Sequence, residues 1–467
     1  MGRDIVDRSA PVDISRRAAI VTLAMGVAGC SDRAQTTTSE NAQLTVSPEE
    51  SLIDEPLSIH LTDLSLGEHA TIWTSFIDAE GVEWRSYAQF EADESGEINP
   101  TDHSPLEGTY EGRDSGGLLW SRRPIDPEPA IVRPIFDDEF ELQVVVTQND
   151  DRITETTVTR RTAAPGLRRI EPEHNPGVLF EPSGDGPYPG LLLFHGSEGQ
   201  PTIELAKLFA SHGYAAFALQ YFGPPREIPD RLHRVPLSLV EENAAWLRNQ
   251  SRVSSSEIGL IGWSRGSEIA LLAGTILDEI GVVIGVSPSE LVFDGYLLES
   301  EPVHAWTYEG DELPHIPIDS STGYLIDTAS AAPRGAPIGS TPLFEAALGA
   351  STEQQIEAAT IPVEEIDAPL FLFSGTDDAT WPAVQLATYA EQQRNQHGLP
   401  VEHHIYEGAG HLIGSSPATV PTTQATTGSH FLGQGLTENF GGTPEANAAA
   451  NAGTWSRILQ AFEEELR

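Results

Sequence analysis

A serine flanked by glycines limits the possible folds of this chain more than any other feature. The pentapeptide Gly262-Trp263-Ser264-Arg265-Gly266 directly follows an apolar run at 258–261 and precedes helix-forming residues at 268–272. A serine between a strand and a helix sits on a sharp turn, and small residues two positions away on either side let the chain pass. The dipole at the start of the helix favours negative charge near the serine. The pattern predicts a nucleophile elbow at Ser264.

Apolar runs alternate with helical stretches on both sides of this elbow. Runs at 190–194, 215–219, 258–261, 282–286 and 370–373 are too continuous to be half exposed, which predicts strands buried on two faces. Helical segments between them imply right-handed crossovers and a mostly parallel sheet. Apolar residues at helical spacing near the C-terminus predict a terminal helix packed on that sheet. We therefore expect an α/β fold, with an α/β-hydrolase domain over residues 166–467.

The preceding part of the chain has a different pattern. Between residues 45 and 163, short alternating segments such as Trp84–Phe90 are separated by Gly, Pro and Asp. This period of two predicts an antiparallel β-sandwich of about seven strands. A length of 467 residues also exceeds the size of a single hydrophobic core, about 250–300 residues. We expect a β-sandwich domain over 45–163 ahead of the hydrolase domain.

A serine hydroxyl needs a histidine to accept its proton and an acid to orient that histidine. In hydrolase folds the chain order is serine, acid, histidine. Gly375-Thr376-Asp377-Asp378 follows a predicted strand, and Gly408-Ala409-Gly410-His411 follows the next one at 401–406. The order therefore predicts Ser264, Asp378 and His411 as the catalytic residues.

Other residues compete for two of these roles. Asp377 is the alternative acid, although we expect it to cap the loop or to face water. His403 and His404 are alternative bases, but both lie within a predicted strand, where one side chain faces solvent. His195 is expected to support the loop that contains it rather than to act as a base.

The oxyanion of an acyl-transfer intermediate also needs two backbone N–H donors. One is normally the amide that follows the nucleophile, here Arg265. The second is expected in the loop after the first core strand, Phe194-His195-Gly196-Ser197. The Ser197 amide is the preferred candidate, and Gly196 is the alternative.

The charge of the chain is strongly negative. It has 70 Asp and Glu residues against 26 Lys and Arg residues, a net charge of −44, and hydrophobic residues still make up 39%. Acidic residues occur along the whole chain, which indicates a solvated surface of the kind found in proteins from extreme halophiles. Binding of nucleic acid is disfavoured because phosphate backbones need clustered Lys and Arg.

The first 44 residues resemble a leader and a tether. Ser15-Arg16-Arg17 precedes an apolar stretch at 18–29 and then Cys30, the one cysteine in the chain. Paired arginines before a short apolar segment are typical of a twin-arginine export signal, and Val27-Ala28-Gly29-Cys30 resembles a lipobox. We expect an export signal over 1–30 with lipidation at Cys30, and a flexible tether over 31–44. This predicts an exported lipoprotein, held by its lipid on the outer face of the cell membrane.

Several segments of the chain, at 47–48, 54–56, 117–120, 186–190, 218–222, 375–381 and 408–413, match a pattern found in one known family. By these segments the chain, from about residue 44 to its end, resembles the acyl-CoA thioesterase and bile acid-CoA:amino acid N-acyltransferase family. The resemblance implies the triad Ser264, Asp378 and His411, and an accessory role for the N-terminal sandwich. Members with a cysteine nucleophile are transferases, so a serine implies hydrolysis. Two features differ from the family: the export leader, since coenzyme A esters are scarce outside cells, and Arg265 with Ser267 in the elbow.

These observations predict a serine hydrolase that cleaves acyl thioesters through an acyl-enzyme. An extracellular carboxylesterase is the alternative, and an acyltransferase or a non-catalytic surface-binding protein is less favoured. The expected partner is a small-molecule acyl thioester or ester. We expect no cofactor and no metal, because no helix bears paired histidines at ligand spacing. The oligomeric state is left open.

Overall fold

The computed structural model describes residues 42–125, 134–224, 228–295, 303–318, 336–414, 424–430 and 433–467. The predicted export signal, Cys30 and nearly all of the tether lie outside these residues, so these stay predictions. Ser39–Arg467 is one compact unit. No described helix is both long enough and apolar enough to cross a membrane.

The N-terminal part of this unit consists mainly of strands that alternate between buried and exposed side chains. Strand His69–Ile77, for example, buries every second residue, as period-two patterning requires. The strands in this part are Gln43–Ser47 (β1), Glu50–Leu52 (β2), Ser58–Thr62 (β3), His69–Ile77 (β4), Glu83–Glu91 (β5), Glu107–Gly108 (β6), Arg123–Pro124 (β7), Glu139–Gln148 (β8) and Asp151–Arg161 (β9).

These strands form two unequal layers. Seven of them make one sheet in the order β2-β9-β8-β4-β5-β6, with β7 beside β5, and β1 pairs only with β3. Buried residues of β1 and β3 share a hydrophobic cluster with those of β4 and β5, so the small layer packs on the large one. The pairing is antiparallel except between β2 and β9. The sandwich therefore differs from the expected one, because one of its layers has only two strands.

The C-terminal part contains the sheet that carries the elbow. This part also has several short strands outside that sheet. All of its described strands are Arg168–Ile170 (β10), Gly177–Glu181 (β11), Tyr188–Phe194 (β12), Ala215–Leu219 (β13), Val235–Pro236 (β14), Val253–Trp263 (β15), Ile280–Val286 (β16), Trp306–Tyr308 (β17), Asp311–Glu312 (β18), Leu370–Gly375 (β19), Val401–Tyr406 (β20), Ala425–His430 (β21) and Gly433–Asn439 (β22).

Eight of these strands form one sheet in the order β10-β11-β13-β12-β15-β16-β19-β20. The six from β13 to β20 run parallel, whereas β10 and β11 are antiparallel. Strands β13 and β16 are buried at every position, which is why their sequences read as continuous apolar runs. This is an α/β-hydrolase fold preceded by an N-terminal part made mainly of β-strands. The carboxyl ends of β15, β19 and β20 therefore lie at one edge of the sheet.

Helices cover both faces of the large sheet, as the two hydrophobic clusters on either side of it show. In the terminal helix, Trp455, Ile458 and Phe462 are buried. The described helices are Gly117–Trp120 (α1), Ile203–Ser211 (α2), Ser238–Arg248 (α3), Arg265–Ile276 (α4), Thr341–Ala350 (α5), Glu353–Ala359 (α6), Ala383–Gln396 (α7) and Pro444–Leu466 (α8), with a 3-10 turn at Val363–Glu365.

The N-terminal part and the hydrolase sheet share buried contacts. Phe76 and Trp84 belong to the same hydrophobic cluster as Phe209 and Phe462. Asp54 has a side chain that is only 3% exposed, and it accepts a hydrogen bond from Trp455 Nε1 at 2.9 Å. The predicted boundary at 163–166 falls between β9 and β10, but the division into two domains stays a prediction.

Glu290 is a buried acid just after β16. The residue is 1% exposed, and its Oε2 has no hydrogen-bond partner among the described residues. Burial, and secondarily the charge of Glu364, raises the pKa of Glu290 from 4.5 to about 8. The folded protein holds the proton on this carboxyl more tightly than the unfolded chain does. The free energy of unfolding therefore falls as pH rises from the unfolded pKa to the folded pKa. Glu290 thus destabilises the fold increasingly between about pH 4.5 and pH 8.

We predict that Glu290→Gln removes part of this pH dependence. Each unit of pKa difference corresponds to about 1.4 kcal/mol. Thermal unfolding of both proteins in molar salt should give similar Tm values near pH 5 and a higher Tm for E290Q at pH 8–9. The exposed Glu173→Gln is the matched control, and its Tm should follow the parent at every pH. A constant Tm difference between E290Q and the parent from pH 5 to pH 9 contradicts the assignment.

Candidate active site

Ser264 lies on a strained turn between β15 and α4. Its φ is 54° and its ψ is −123°, a backbone conformation that residues with a Cβ rarely adopt. The Ser264 amide donates to Val286 O at 2.9 Å, and the Ser264 carbonyl accepts the Ser267 amide at 2.8 Å and its hydroxyl at 2.6 Å. Such strain persists only where surrounding contacts fix it. The turn therefore holds the Ser264 side chain at the edge of the sheet.

The two elbow glycines are required by close backbone packing. A Cβ on Gly262 would lie 1.9 Å from Gly266 O, and one on Gly266 would lie 2.4 Å from His195 O. The first atom would open the turn itself, and the second would push the elbow away from the end of β12 and its loop. The glycines thus permit both the turn and its contact with the predicted oxyanion loop.

Asp378 and His411 lie together above the same sheet edge. His411 Nδ1 is 2.7 Å from Asp378 Oδ2, and the two side chains are 4% and 2% exposed. Asp378 Oδ1 accepts the amides of Thr380 at 2.8 Å and Trp381 at 3.2 Å. With Nδ1 engaged by the carboxylate, Nε2 is the ring nitrogen left for a serine hydroxyl.

The competing acid and bases lie elsewhere. Asp377 is exposed, and its carboxylate accepts the Thr376 hydroxyl at 3.2 Å. His403 lies between Ser374, 3.0 Å away, and Glu391, 3.2 Å away, while His404 Nε2 is 3.0 Å from Glu402. The structure therefore brings Asp378, rather than Asp377, to His411.

Ser287 connects the elbow to the histidine loop, and the sequence analysis did not identify it. Its hydroxyl donates to His411 O at 2.6 Å, and its carbonyl accepts Trp381 Nε1 at 3.1 Å. The preceding residue, Val286, accepts the Ser264 amide. Because Val286 and Ser287 are consecutive at the end of β16, one short segment positions the serine, the histidine loop and the loop of the acid.

His195 supports the predicted oxyanion loop from below. Its Nδ1 donates to Gly196 O at 2.7 Å, and its ring stacks on Tyr221 with the ring centroids 4.1 Å apart. Burial lowers the pKa of His195 to about 4, so the ring is neutral at physiological pH. The Gly196 carbonyl points at His195, and the Ser197 N–H of the same trans peptide therefore points away from it.

The three candidate oxyanion amides are not equivalent. Within the described residues, neither the Arg265 amide nor the Ser197 amide has an acceptor. The Gly196 amide donates to Glu198 Oε1 at 3.1 Å, and the choice between Ser197 and Gly196 as the second oxyanion donor stays a prediction. A side chain two residues away reaches back to the loop, which the sequence pattern does not reveal.

The Arg265 side chain is buried beneath the elbow. Its Nη1 is 2.8 Å from Glu268 Oε1, and its Nη2 donates to Phe293 O at 3.1 Å. Trp306 Nε1 donates to the other Glu268 oxygen at 3.0 Å. Burial raises the pKa of Glu268 to about 7, and the Arg265 charge opposes this. The charged elbow residue thus fixes the first turn of α4.

Within the described residues, no group of three or more His, Cys, Asp and Glu side chains is arranged to hold a metal ion. The strained serine, the Asp–His pair and the unpaired amides together form an arrangement suited to acyl transfer.

Two family models match the chain. Residues 235–467 match the family described as BAAT / Acyl-CoA thioester hydrolase C terminal, and residues 54–174 match the acyl-CoA thioester hydrolase/BAAT N-terminal region. The chain belongs to the acyl-CoA thioester hydrolase/BAAT family. The two matches together span most of the described residues, so the resemblance inferred from the sequence is confirmed.

Members of the acyl-CoA thioester hydrolase/BAAT family from mammals align over nearly the whole chain. Mouse mitochondrial acyl-coenzyme A thioesterase 2 is 28% identical over 440 residues, which cover 91% of this chain and 90% of the relative. Human acyl-coenzyme A thioesterase 6 is 28% identical over 432 residues, covering 88% and 94%. Mouse peroxisomal succinyl-coenzyme A thioesterase is 25% identical over 434 residues, covering 91% and 97%. Family and fold together make this chain a hydrolase.

We predict that Asp378→Asn and Asp377→Asn differ sharply in activity. An amide at 378 cannot stabilise an imidazolium and favours the wrong His411 tautomer, so kcat should fall by roughly 10³–10⁴-fold. D377N changes an exposed, neighbouring carboxylate in the same way, and it should keep the parent's kcat. Steady-state hydrolysis of an acyl thioester measures both. Equal losses in the two variants, with unchanged unfolding temperatures, contradict the assignment of Asp378.

Proposed function

We propose that this protein hydrolyses acyl thioesters through a covalent acyl-enzyme on Ser264. The observation that carries the proposal is the hydrogen bond between His411 Nδ1 and Asp378 Oδ2, which are 2.7 Å apart. This pair lies at the sheet edge where the strained Ser264 turn also lies. The fold and the family support hydrolysis. The names of the relatives support an acyl-CoA as the thioester.

In the first half of the reaction, His411 Nε2 accepts the hydroxyl proton as Ser264 Oγ attacks the thioester carbonyl carbon. The amides of Arg265 and Ser197 stabilise the resulting oxyanion. The carbon–sulfur bond then breaks, and His411 returns the proton to the departing thiolate. The products of this half are a free thiol and an ester of Ser264.

In the second half, a water molecule replaces the thiol. His411 takes a proton from the water as its oxygen attacks the acyl carbon, and the oxyanion forms in the same place. When the ester bond breaks, the proton returns to Ser264 Oγ and a carboxylic acid leaves. Asp378 stays ionised throughout and stabilises the imidazolium that forms twice per turnover.

Hydrolysis of carboxylic esters is the second candidate function. The sequence of residues 15–30 favours it, because an exported lipoprotein anchored through Cys30 would meet esters more often than coenzyme A thioesters. The same serine, histidine and acid would act on either bond. The two functions therefore differ in the leaving group and share the same catalytic residues.

We predict that the purified protein turns over acyl-CoA thioesters with a higher kcat/KM than p-nitrophenyl esters of the same acyl chains. Assays should use molar salt, because the net charge of −44 needs screening. A kcat/KM that is higher for the esters at every chain length would favour the carboxylesterase. Absence of turnover on both series would reject the hydrolase proposal.

Ser264→Ala tests the mechanism in the same assays. Loss of the nucleophile should lower kcat by roughly 10³-fold or more, while the unfolding temperature stays near that of the parent. Ser183→Ala, at an exposed serine outside the site, is the matched control and should keep full activity. Turnover by S264A at the parent's rate would reject Ser264 as the nucleophile.

A further inference from the structure

Two histidines face each other beside the hairpin formed by β17 and β18. His304 lies just before β17, and His315 lies just after β18. The Nδ1 atoms of the two rings are 3.2 Å apart. The rings are nearly perpendicular, with their centroids 4.5 Å apart. The hairpin therefore brings together two imidazole nitrogens that are separated by 11 positions in the chain.

The outer nitrogen of each ring lies near a carboxylate. His304 Nε2 is 3.2 Å from Glu312 Oε2, and His315 Nε2 is 3.6 Å from Asp294 Oδ1. An ionised carboxylate only accepts hydrogen bonds, so its charge favours the tautomer that carries the imidazole proton on Nε2. Each Nδ1 is then left with a lone pair, and the two lone pairs face each other.

A carbonyl oxygen lies at the same place. Leu313 O is 3.0 Å from His304 Nδ1, and it is also close enough to His315 to favour the protonated form of that ring. A carbonyl oxygen cannot donate a hydrogen bond. Three electron-pair donors therefore converge, and they repel one another unless a cation lies among them. That cation is either a proton or a metal ion.

A metal ion suits this place better than a proton does. The His315 side chain is only 6% exposed, and burial lowers the pKa of its ring, although the Asp294 charge opposes this. Two ligands of a tetrahedral zinc ion, each about 2.0–2.1 Å from the metal, lie about 3.3–3.4 Å from each other. The separations of 3.2 Å between the two Nδ1 atoms and 3.0 Å to Leu313 O are close to this value.

Main-chain hydrogen bonds hold the two histidines in this arrangement. The Leu313 amide donates to Trp306 O at 3.0 Å across the hairpin. The two oxygens of Asp294 accept the amides of Val303 and Ile318, which lie on either side of the histidine pair. The site is thus built before any ion enters, and less ordering is lost on binding.

We propose that His304 and His315 bind one zinc ion through their Nδ1 atoms, with Leu313 O as the third ligand and a water molecule as the fourth. Imidazole is a preferred ligand of Zn²⁺, and the carboxylates of Glu312 and Asp294 take the outer positions that orient metal-binding histidines. The site uses two side chains and one main-chain oxygen, so it is distinct from a cluster of three or more metal-binding side chains. The ion ties together the two ends of the hairpin.

Calorimetric titration with Zn²⁺ tests the site, after a chelator has been used to strip the protein of metal. The proteins are the parent, His304→Gln, His315→Gln and Glu312→Gln. His397→Gln is the matched control, at an exposed histidine at the end of α7. Molar potassium chloride screens weak binding of Zn²⁺ to the acidic surface. Thermal unfolding with and without Zn²⁺ provides a second readout.

The parent and H397Q should each bind one Zn²⁺ per chain. H304Q and H315Q should lose affinity by at least about 100-fold, because each lacks a ligand, and E312Q should lose about 10-fold, because it lacks only an outer partner. Zn²⁺ should raise the Tm of the parent and of H397Q, since it binds the folded state. It should leave the Tm of H304Q unchanged.

Two results would overturn the zinc site. One is a parent that binds no Zn²⁺ with a stoichiometry near one. The other is an affinity in H304Q equal to that of the parent, which would place the ion on surface carboxylates. The His304 side chain is 32% exposed, so H304Q decides the question even where H315Q does not fold. Neither result affects the proposed hydrolysis, because the site contains none of the proposed catalytic residues.

Discussion

The strained backbone at Ser264 is the constraint around which the hydrolase part of this protein is arranged. A positive φ at a residue with a Cβ is unfavourable, and here the Val286 carbonyl and the first turn of α4 hold it in place. Because Gly266 has no Cβ, the elbow can lie against the loop after β12, where a Cβ would be only 2.4 Å from His195 O. Without that contact, no loop amide would lie beside the nucleophile.

Two opposite charges, those of Arg265 and Glu268, are buried together beneath the elbow. Arg265 and Glu268 are both buried, and each also bonds to a neutral group, the Phe293 carbonyl or the Trp306 indole. A buried ion pair of this kind adds little net stability, but removing one partner leaves the other uncompensated. The pair is therefore best understood as a fixed support for the start of α4. Glu198, in contrast, is exposed, and its carboxylate accepts the Gly196 amide.

The sequence predicted the parts of the structure that depend on local pattern. The buried parallel strands, the terminal helix and the elbow glycines all follow from spacing and residue size, and the structure has each of them. Strands β10 and β11 were not predicted, because a short strand that pairs with its neighbour in the chain, as β10 does with β11, has too few residues to show a period, and the pairing of β11 with β13 spans about 40 residues. The separation of β1 and β3 into a two-stranded layer was not predicted either, because period-two patterning does not encode which strands pair. The contacts of Ser287 with His411 and Trp381 connect different loops, and periodicity does not encode such contacts.

The account depends on a covalent bond forming at Ser264 and nowhere else. The most direct measurement mixes the protein with an excess of an acyl thioester, quenches the reaction in acid within one turnover and maps the acyl group by mass spectrometry of peptides. The account predicts the mass of the acyl group on the peptide that contains Ser264, and no added mass in S264A. An acyl group found on another residue, or steady turnover with no acylated peptide at any quench time, would contradict it.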